Sequence, residues 1–338
     1  MIKIFKNKRA SLNLEMALLI MLLALAVIFG LTWMGGGIAT TFNDASDFLL
    51  GSGGSGGADG DEWSSHYDVG APEPVETDWV FEDNGDNTWT AIQYTGTDTI
   101  VSLPHEHNGE PVTSVKGSII TYDPVSYDIV EVFLPDTLTS IGEFAFYCSY
   151  LETAHIQEGV LSIGESAFEW ASLTSLSLPS TLKTIGNRAF YENDGVTSLI
   201  IPDGVETIGD TAFGDWDGIT SVIIPDSVQT LAWGNFTACQ NLSNVTIGAG
   251  LTTIKDNMFN GCSSLQTITI PNNITVIEMN AFANTGLTSI TIPSSVTAIG
   301  IMNFAGCNTL TDITIQKPAG SITGAPWSAP IATVNWTG

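Results

Sequence analysis

The stretch LTSITIPSSVTAIG, residues 287–300, decides the fold of this 338-residue chain. Its first half alternates, so Ile290 and Ile292 point to one side of an extended strand while Ser289 and Thr291 point to the other. The proline that follows ends the strand, because proline has no N–H to donate to a continuing ladder. The Val-Thr-Ala-Ile-Gly run then returns along a second side, which predicts a unit with two short apolar stretches joined by tight turns.

This unit recurs every 22 or 23 residues, and each copy contains one phenylalanine at a fixed position. These marker phenylalanines are Phe146, Phe168, Phe190, Phe213, Phe236, Phe259, Phe282 and Phe304. One unit alone cannot bury its apolar face, so stacked units must share a continuous core that contains the eight rings. A degenerate unit at 100–117 and a last strand at 310–315 extend the array at its two ends.

The repeat resembles the BspA-type leucine-rich repeat over about residues 95–316. The resemblance implies a surface-exposed solenoid with parallel strands on one face. The predicted fold class is therefore a repeat solenoid of leucine-rich repeats, mostly β with short turns or helical corners, preceded by a single N-terminal transmembrane α-helix. The resemblance implies no particular ligand.

Composition and periodicity divide the chain into six predicted segments. They are a basic stub or leader (1–10), an apolar transmembrane helix (11–50), a Gly/Ser-rich acidic linker (51–75), a hairpin with a degenerate capping repeat (76–117), the repeats (118–316) and a C-terminal cap (317–338). The hairpin is predicted by two aromatic, β-branched runs that flank an Asn-Gly turn within 79–92. Trp327 and Trp336 are expected to cover the last repeat, because an open solenoid end exposes core and strand edges.

The N-terminus predicts a membrane-spanning helix. Four of the first nine residues are basic, and no charged residue occurs from Met16 to Asn43. About 20 apolar residues in a helix cross a hydrocarbon core of ~30 Å. The basic stub keeps its own side cytoplasmic and places the remainder outside the cell. A retained anchor and a secretory signal that is cleaved near Ala39 both fit this pattern.

The run KRASLNLEMALLI, residues 8–20, resembles the start of a type IV prepilin, most closely of the Flp (Tad) class. That resemblance implies cleavage between Ala10 and Ser11, with Glu15 as the fifth mature residue, and assembly of subunits into filaments. Ala10 stands where glycine is usual and Met16 where tyrosine is typical of the class. Pilin-type processing and a plain anchor therefore both stay open.

The charge balance and the motif content exclude several classes of function. The chain has 36 acidic and nine basic residues and a net charge of −27, so it repels nucleic acid. It contains no P-loop and no H-E-x-x-H motif, and its four histidines form no recognisable triad. We therefore expect neither catalysis nor a cofactor, and the chain is predicted to be a non-enzyme.

Two sets of side chains at fixed offsets from the marker phenylalanines are candidates for particular chemistry. The carboxylates that follow two neighbouring markers, a possible calcium site, are Glu192, Asp194, Asp215 and Asp217. Three cysteines, Cys239, Cys262 and Cys307, lie three residues after a marker, which predicts small buried side chains. Since Cys239 and Cys262 occupy adjacent units, a disulfide between them stays open.

The outward positions of the alternating strands are the candidate binding face. They include Ser175, Ser177, Ser198, Ser221, Asn244, Thr246, Thr267, Thr269, Ser289 and Thr291. Charge on this face is confined to Glu131 and Asp312, with His155 titratable, so a partner meets little repulsion there.

The lead hypothesis is a cell-surface adhesion module on a membrane-anchored, pilin-like stalk that binds an extracellular protein or glycan. The alternative is a structural single-pass envelope protein, or scaffold, without a specific ligand.

Overall fold

The computed structural model describes residues 66–67, 70–119 and 129–338. The predicted leader and transmembrane helix lie outside these residues, and so do the candidate processing residues Ala10, Ser11 and Glu15. In the described part of the chain, no helix has the length and apolar character that a membrane span requires.

The described residues contain a short 3-10 helix, Glu76–Asp78, and twenty strands. In chain order the strands are β1 (Trp79–Asp83), β2 (Trp89–Tyr94), β3 (Ile100–Ser102), β4 (Glu106–His107), β5 (Glu110–Val115), β6 (Glu131–Phe133), β7 (Ser140–Ile141), β8 (Thr153–His155), β9 (Ser162–Ile163), β10 (Thr184–Ile185), β11 (Thr207–Ile208), β12 (Ser221–Ile224), β13 (Thr230–Leu231), β14 (Asn244–Ile247), β15 (Thr253–Ile254), β16 (Val276–Ile277), β17 (Ser289–Ile292), β18 (Ala298–Ile299), β19 (Asp312–Ile315) and β20 (Thr333–Trp336).

The chain coils into a solenoid whose strands pair in parallel on two faces. On the first face β3, β6 and β8 form one sheet, β12 and β14 a second, and β17, β19 and β20 a third. On the second face β5, β7, β9, β10, β11 and β13 follow one another, and β15, β16 and β18 form a separate sheet. The family resemblance implied parallel strands on one face, so the second ladder of very short strands corrects that expectation.

The alternation read from residues 287–300 is present in the structure. In β17 the side chains of Ile290 and Ile292 are buried while Ser289 and Thr291 are exposed. Ser289 lies opposite Asp312 of β19, and the register continues without a slip to the ends of both strands. An unshifted register keeps every apolar side chain on the core side.

Three segments with the same alternation, residues 175–178, 198–201 and 267–270, form no strand, which differs from the sequence-based expectation. The ladder of the first face is therefore divided into three sheets.

The eight marker phenylalanines form a single buried stack. Each ring is at most 1% exposed, and neighbouring rings are within 16° of parallel. At the end of the stack Trp327 packs its ring edge against Phe304 at 6.4 Å, and its side chain is 3% exposed. The predicted interior position of all eight rings is confirmed.

Of the short turns or helical corners that were predicted, the structure has turns at the corner of each coil. Two residues in each corner, two before and two after the marker phenylalanine, have a left-handed backbone with φ between 48° and 86°. The earlier position holds Phe144, Ser166, Arg188, Thr211, Gly234, Asn257, Asn280 and Met302; the later one holds Cys148, Trp170, Glu192, Asp215, Ala238, Gly261, Asn284 and Gly306. Most of these side chains are neither glycine nor asparagine, so the backbone conformation is imposed by the surrounding structure.

Hydrogen bonds between coils hold the left-handed corners in place. In the first full corner the backbone N–H groups of Phe144, Phe146 and Cys148 donate to carbonyl oxygens of the next coil, at 2.9, 2.7 and 2.9 Å. The next corner repeats the pattern from Ser166 and Phe168. These bonds satisfy buried backbone groups that no helix or strand would otherwise pair.

At the N-terminal end, β1 and β2 form the expected antiparallel hairpin. Strand β2 then pairs in parallel with β5, so the hairpin continues the ladder of the second face. At the other end β20 adds a parallel strand beside β19, with Trp336 opposite Ile315.

Replacing Phe190 by alanine should lower the free energy of unfolding by about 3–5 kcal/mol, because it removes a fully buried ring between Phe168 and Phe213 and leaves a cavity. Urea denaturation of the full chain measures the loss. The control Tyr150→Ala changes a side chain that is 56% exposed and should alter stability by about 0.5 kcal/mol or less. Equal losses of stability in the two variants would show that the ring stack does not stabilise the fold.

Candidate functional site

The candidate binding face is formed by the outward positions of the first-face strands and of the unpaired segments between them; we call it the strand face. All ten residues predicted for it are exposed: Ser175, Ser177, Ser198, Ser221, Asn244, Thr246, Thr267, Thr269, Ser289 and Thr291. The parallel register of β12 and β14 places Ser221 beside Asn244 in one column and Ile223 beside Thr246 in a second column. The equivalent positions of the other repeats extend these two columns in sequence.

Two isoleucines interrupt the polar second column, and the sequence analysis missed them. Ile200 is 77% exposed and Ile223 is 64% exposed. They occupy the positions that Ser177 and Thr246 occupy in the flanking coils. An alignment of the repeats position by position reveals these two isoleucines, whereas a count of hydroxyl residues does not. The strand face therefore has an apolar centre between polar ends.

The strand face has two shallow depressions at coils where the strand pairing is interrupted. The larger, of about 430 Å³, is lined by residues that include Thr267, Thr269, Ser289, Thr291 and Gln316. The smaller, of about 150 Å³, is lined by residues that include Ser175, Ser198 and Ile200. Neither lining includes a charged side chain.

A neighbouring column of hydroxyl groups has a structural role instead. The side chains of Thr174, Ser243 and Thr311 donate to backbone carbonyls of the preceding coil at 3.2–3.3 Å. These hydroxyls satisfy carbonyl groups at the start of the strands. They are therefore distinct from the outward hydroxyls of the strand face.

The charged residues predicted at the N-terminal end of the strand face are paired with each other. The His155 Nε2 atom lies 2.7 Å from Glu131 Oε1, and the His155 ring stacks on Phe133 with a centroid separation of 4.0 Å. This contact and the ring stacking hold the Glu131 and His155 side chains together at that end of the face.

The four carboxylates predicted as a calcium site interact electrostatically. Burial raises the pKa of Asp215, and the negative charges of Glu192, Asp194 and Asp217 raise it further, while the Tyr191 hydroxyl donates to Asp215 at 3.3 Å. The pKa of Tyr191 rises to about 12, mainly through burial and then through Asp215. Within the described residues, no group of three or more His, Cys, Asp or Glu side chains is placed to hold a metal ion. Calcium binding stays a prediction.

The repeats match a known family over most of their length. Residues 125–243 and 233–325 match the model described as BspA type Leucine rich repeat region, in six copies. The chain belongs to this family. The solved structure of a leucine-rich repeat protein from Bacteroides ovatus is 22% identical, with a TM-score of 0.52, and the match covers 78% of this chain and 71% of that one. This likeness shows the solenoid fold.

Two further solved structures share less geometry with this BspA-type chain. The T. pallidum leucine-rich repeat protein is 21% identical with a TM-score of 0.47, and the match covers 71% of this chain and 91% of that one. A leucine rich cell surface protein from Faecalibacterium prausnitzii is 23% identical with a TM-score of 0.38, over 73% of this chain and 95% of that one. No curated protein matches the chain. The description of the matched family is that of a repeat region and names no catalytic activity.

The BspA-type coils place a hydrogen-bond donor three residues after most marker phenylalanines. The thiols of Cys239, Cys262 and Cys307 donate to phenylalanine carbonyls of the preceding coils at 3.4, 3.1 and 3.0 Å. Asn193 and Trp216 donate to phenylalanine carbonyls from the same position. The column was predicted as small buried apolar side chains; burial is confirmed, but the shared property is a donor that satisfies a buried carbonyl.

All four cysteines are free thiols in the structure. Cys239 and Cys262 therefore form no disulfide with each other in the structure. Each thiol is directed at a backbone carbonyl rather than at the neighbouring thiol. Burial raises the pKa of Cys239 to about 12 and that of Cys262 well above the usual range. Cys148 is exposed.

We expect N-ethylmaleimide to modify only Cys148 in the native BspA-type chain, since the other three thiols are buried and protonated. Mass spectrometry of the intact chain should show one adduct before denaturation and four after denaturation without reductant. The Cys148→Ser variant, as control, should show none in the native state. Two adducts after denaturation would instead reveal a disulfide.

Proposed function

We propose that this chain is a cell-surface binding module that docks an extracellular protein or glycan on its strand face, centred on Ile200 and Ile223. The observation that carries the proposal is the exposure of these two side chains at adjacent outward positions of a regular solenoid. Exposed apolar groups with a polar surround are typical of interaction sites.

The physical basis is the contrast between the strand face and the rest of the molecule. Burying apolar surface stabilises a complex by about 25 cal/mol per Å², and both isoleucines have most of their surface available for it. The flanking hydroxyls of Ser198, Ser221 and Thr246 can hydrogen-bond to a partner without adding charge. On a chain of net charge −27, this uncharged region also admits an anionic partner.

Ile200 and Ile223 can be exchanged without disturbing the repeat, because Thr246, Thr269 and Thr291 occupy the same column in later coils. We expect the double substitution Ile200→Thr/Ile223→Thr to leave the melting temperature within about 2 °C of wild type. It should weaken binding to any protein or glycan captured by the full chain in a screen of extracellular-matrix proteins and a glycan array by tenfold or more, on the order of 1.4 kcal/mol.

The control is Ile301→Thr, which changes a side chain that is 68% exposed but lies in a corner rather than on the strand face. It should leave binding unchanged. Equal binding by the double variant and wild type would remove the strand face from the proposal. A chain that captures nothing in the screen would favour the scaffold alternative.

We further propose that residues 11–50 hold the solenoid at the membrane with the repeats outside the cell. The uncharged stretch from Met16 to Asn43 and the basic first nine residues support this placement. The related F. prausnitzii protein is named a cell surface protein. Pilin-type assembly is the finer version of the same proposal, supported by the resemblance of residues 8–20 to a prepilin.

Mass spectrometry of the mature N-terminus tests the membrane segment. We expect the chain to begin at Ser11 if a prepilin peptidase processes it, or at Met1 if it is a plain anchor, because both keep the apolar segment. The Glu15→Ala variant should fractionate with membranes as wild type does and should fail to enter filaments only in the pilin case. A mature chain that begins near Thr40 would contradict membrane anchoring.

A further inference from the structure

A second surface, separate from the strand face, lies at the corners of the N-terminal coils. Four aromatic side chains from successive coils, Phe144, Tyr147, Trp170 and Tyr191, lie there; we call them the aromatic corner. The Tyr147 ring lies 5.6 Å from both Phe144 and Trp170 between centroids. Phe144 is 39% exposed and Trp170 is 41% exposed. Both residues are therefore accessible to solvent.

Carboxylates surround the aromatic corner. Those exposed or half-buried in the same corners are Glu143, Glu165, Glu192, Asp194, Asp210, Asp215 and Asp217. The corner segments 143–150, 165–172, 187–194 and 210–217 contain one basic residue, Arg188. The Arg188 Nη2 atom lies 2.6 Å from Glu169, whose side chain is 5% exposed, so this positive charge is already compensated. The surface therefore carries excess negative charge beside its aromatic rings.

Arg188 is an example, within the chain itself, of a cation held at this surface. Its guanidinium carbon lies 4.6 Å from the centroid of the Tyr191 ring while its nitrogen contacts Glu169. A cation held between an aromatic face and a carboxylate is stabilised by the ring quadrupole and by the ion pair together. Trp170 and Tyr147 likewise combine an aromatic ring with neighbouring carboxylates. Within the described residues, the cation–π contact of Arg188 is made with Tyr191 and not with these two rings.

The solenoid does not require these side chains. In the four C-terminal coils the positions equivalent to Tyr147 and Tyr191 hold Thr237, Asn260, Ala283 and Ala305, and those equivalent to Trp170 and Glu192 hold Ala238, Gly261, Asn284 and Gly306. Trp170 and Glu192 have left-handed backbones, with φ of 57° and 56°. Asparagine and glycine adopt that conformation at lower cost than tryptophan or glutamate. Aromatic and acidic side chains therefore occupy positions where the left-handed backbone favours asparagine or glycine.

We propose that the aromatic corner binds a cationic peptide segment, whose lysine or arginine side chains stack on Trp170 and Tyr147 and pair with Glu192 and the carboxylates near it. The partner chemistry follows from charge complementarity, since this surface combines aromatic faces with uncompensated negative charge. The proposal is independent of the strand face, which carries little charge and lies on a different part of each coil.

The experiment titrates the full chain with the synthetic peptide (Lys-Gly)4, with (Glu-Gly)4 as the control peptide. The variant Trp170→Asn keeps the net charge and suits the left-handed backbone, so it should melt at or above the wild-type temperature. It should bind (Lys-Gly)4 more weakly, on the order of threefold to tenfold. The double variant Glu192→Asn/Asp215→Asn should weaken binding at least as much, and its two positions are also left-handed.

Matched controls separate the aromatic corner from bulk negative charge. Trp233→Asn changes another exposed tryptophan, in a corner without this cluster, and Glu73→Gln/Asp203→Asn removes two exposed carboxylates elsewhere. Both should retain wild-type affinity, as should Ile200→Thr/Ile223→Thr, which keeps this test distinct from that of the strand face. Trp170→Gly provides a second variant compatible with the same backbone, should Trp170→Asn fold poorly.

Two results would overturn the proposal. Unchanged affinity in both Trp170 variants, with equal losses in the two carboxylate double variants, would show attraction to bulk charge alone. Binding of uncharged cellohexaose with the same dependence on Trp170, without binding of (Lys-Gly)4, would assign the surface to a glycan instead.

Discussion

The stacking of one phenylalanine ring on the next, at 5.1–6.2 Å, is the contact on which the rest of the solenoid depends. Beside the ring stack, the corner N–H groups donate to carbonyl oxygens of the next coil, so the same corners hold neighbouring coils together through both the rings and the backbone. A repeat of 22 or 23 residues is then the length of chain that returns each ring to the stack.

Because the stack and the corner hydrogen bonds are made by the ring and the backbone, most outward side chains are free to vary. The chain uses this freedom differently along its length. The first corners carry Tyr147 and Trp170 with many carboxylates, whereas the last carry Ala305 and Gly306. On the strand face, Ile200 and Ile223 replace hydroxyl residues of the second column. The buried ring stack therefore continues along the whole array, while the outward side chains differ from coil to coil.

The period, the buried rings and the alternation at Ile290 and Ile292 could be predicted because each follows from the spacing of apolar residues. The left-handed corners could not, since residues such as Ser166 and Trp170 give no glycine signal. The exposed Ile200 was missed for a related reason: an isoleucine within an alternating strand is ordinarily assigned to the core. The donor role of Cys262 depends on a carbonyl 26 residues earlier in the chain, a contact that only the coil geometry brings about.

The two surfaces differ in the kind of partner that the acidic chain can tolerate. A body of net charge −27 repels anions at long range, so an anionic partner can approach closely only where local charge is low, as on the strand face. At the aromatic corner the same negative charge attracts cations and raises their local concentration beside Trp170. That attraction alone is unselective and weakens with salt, and an aromatic face adds a short-range contact that salt screens much less. The combination of rings and carboxylates, rather than acidity itself, is therefore what can make the corner discriminate among basic partners.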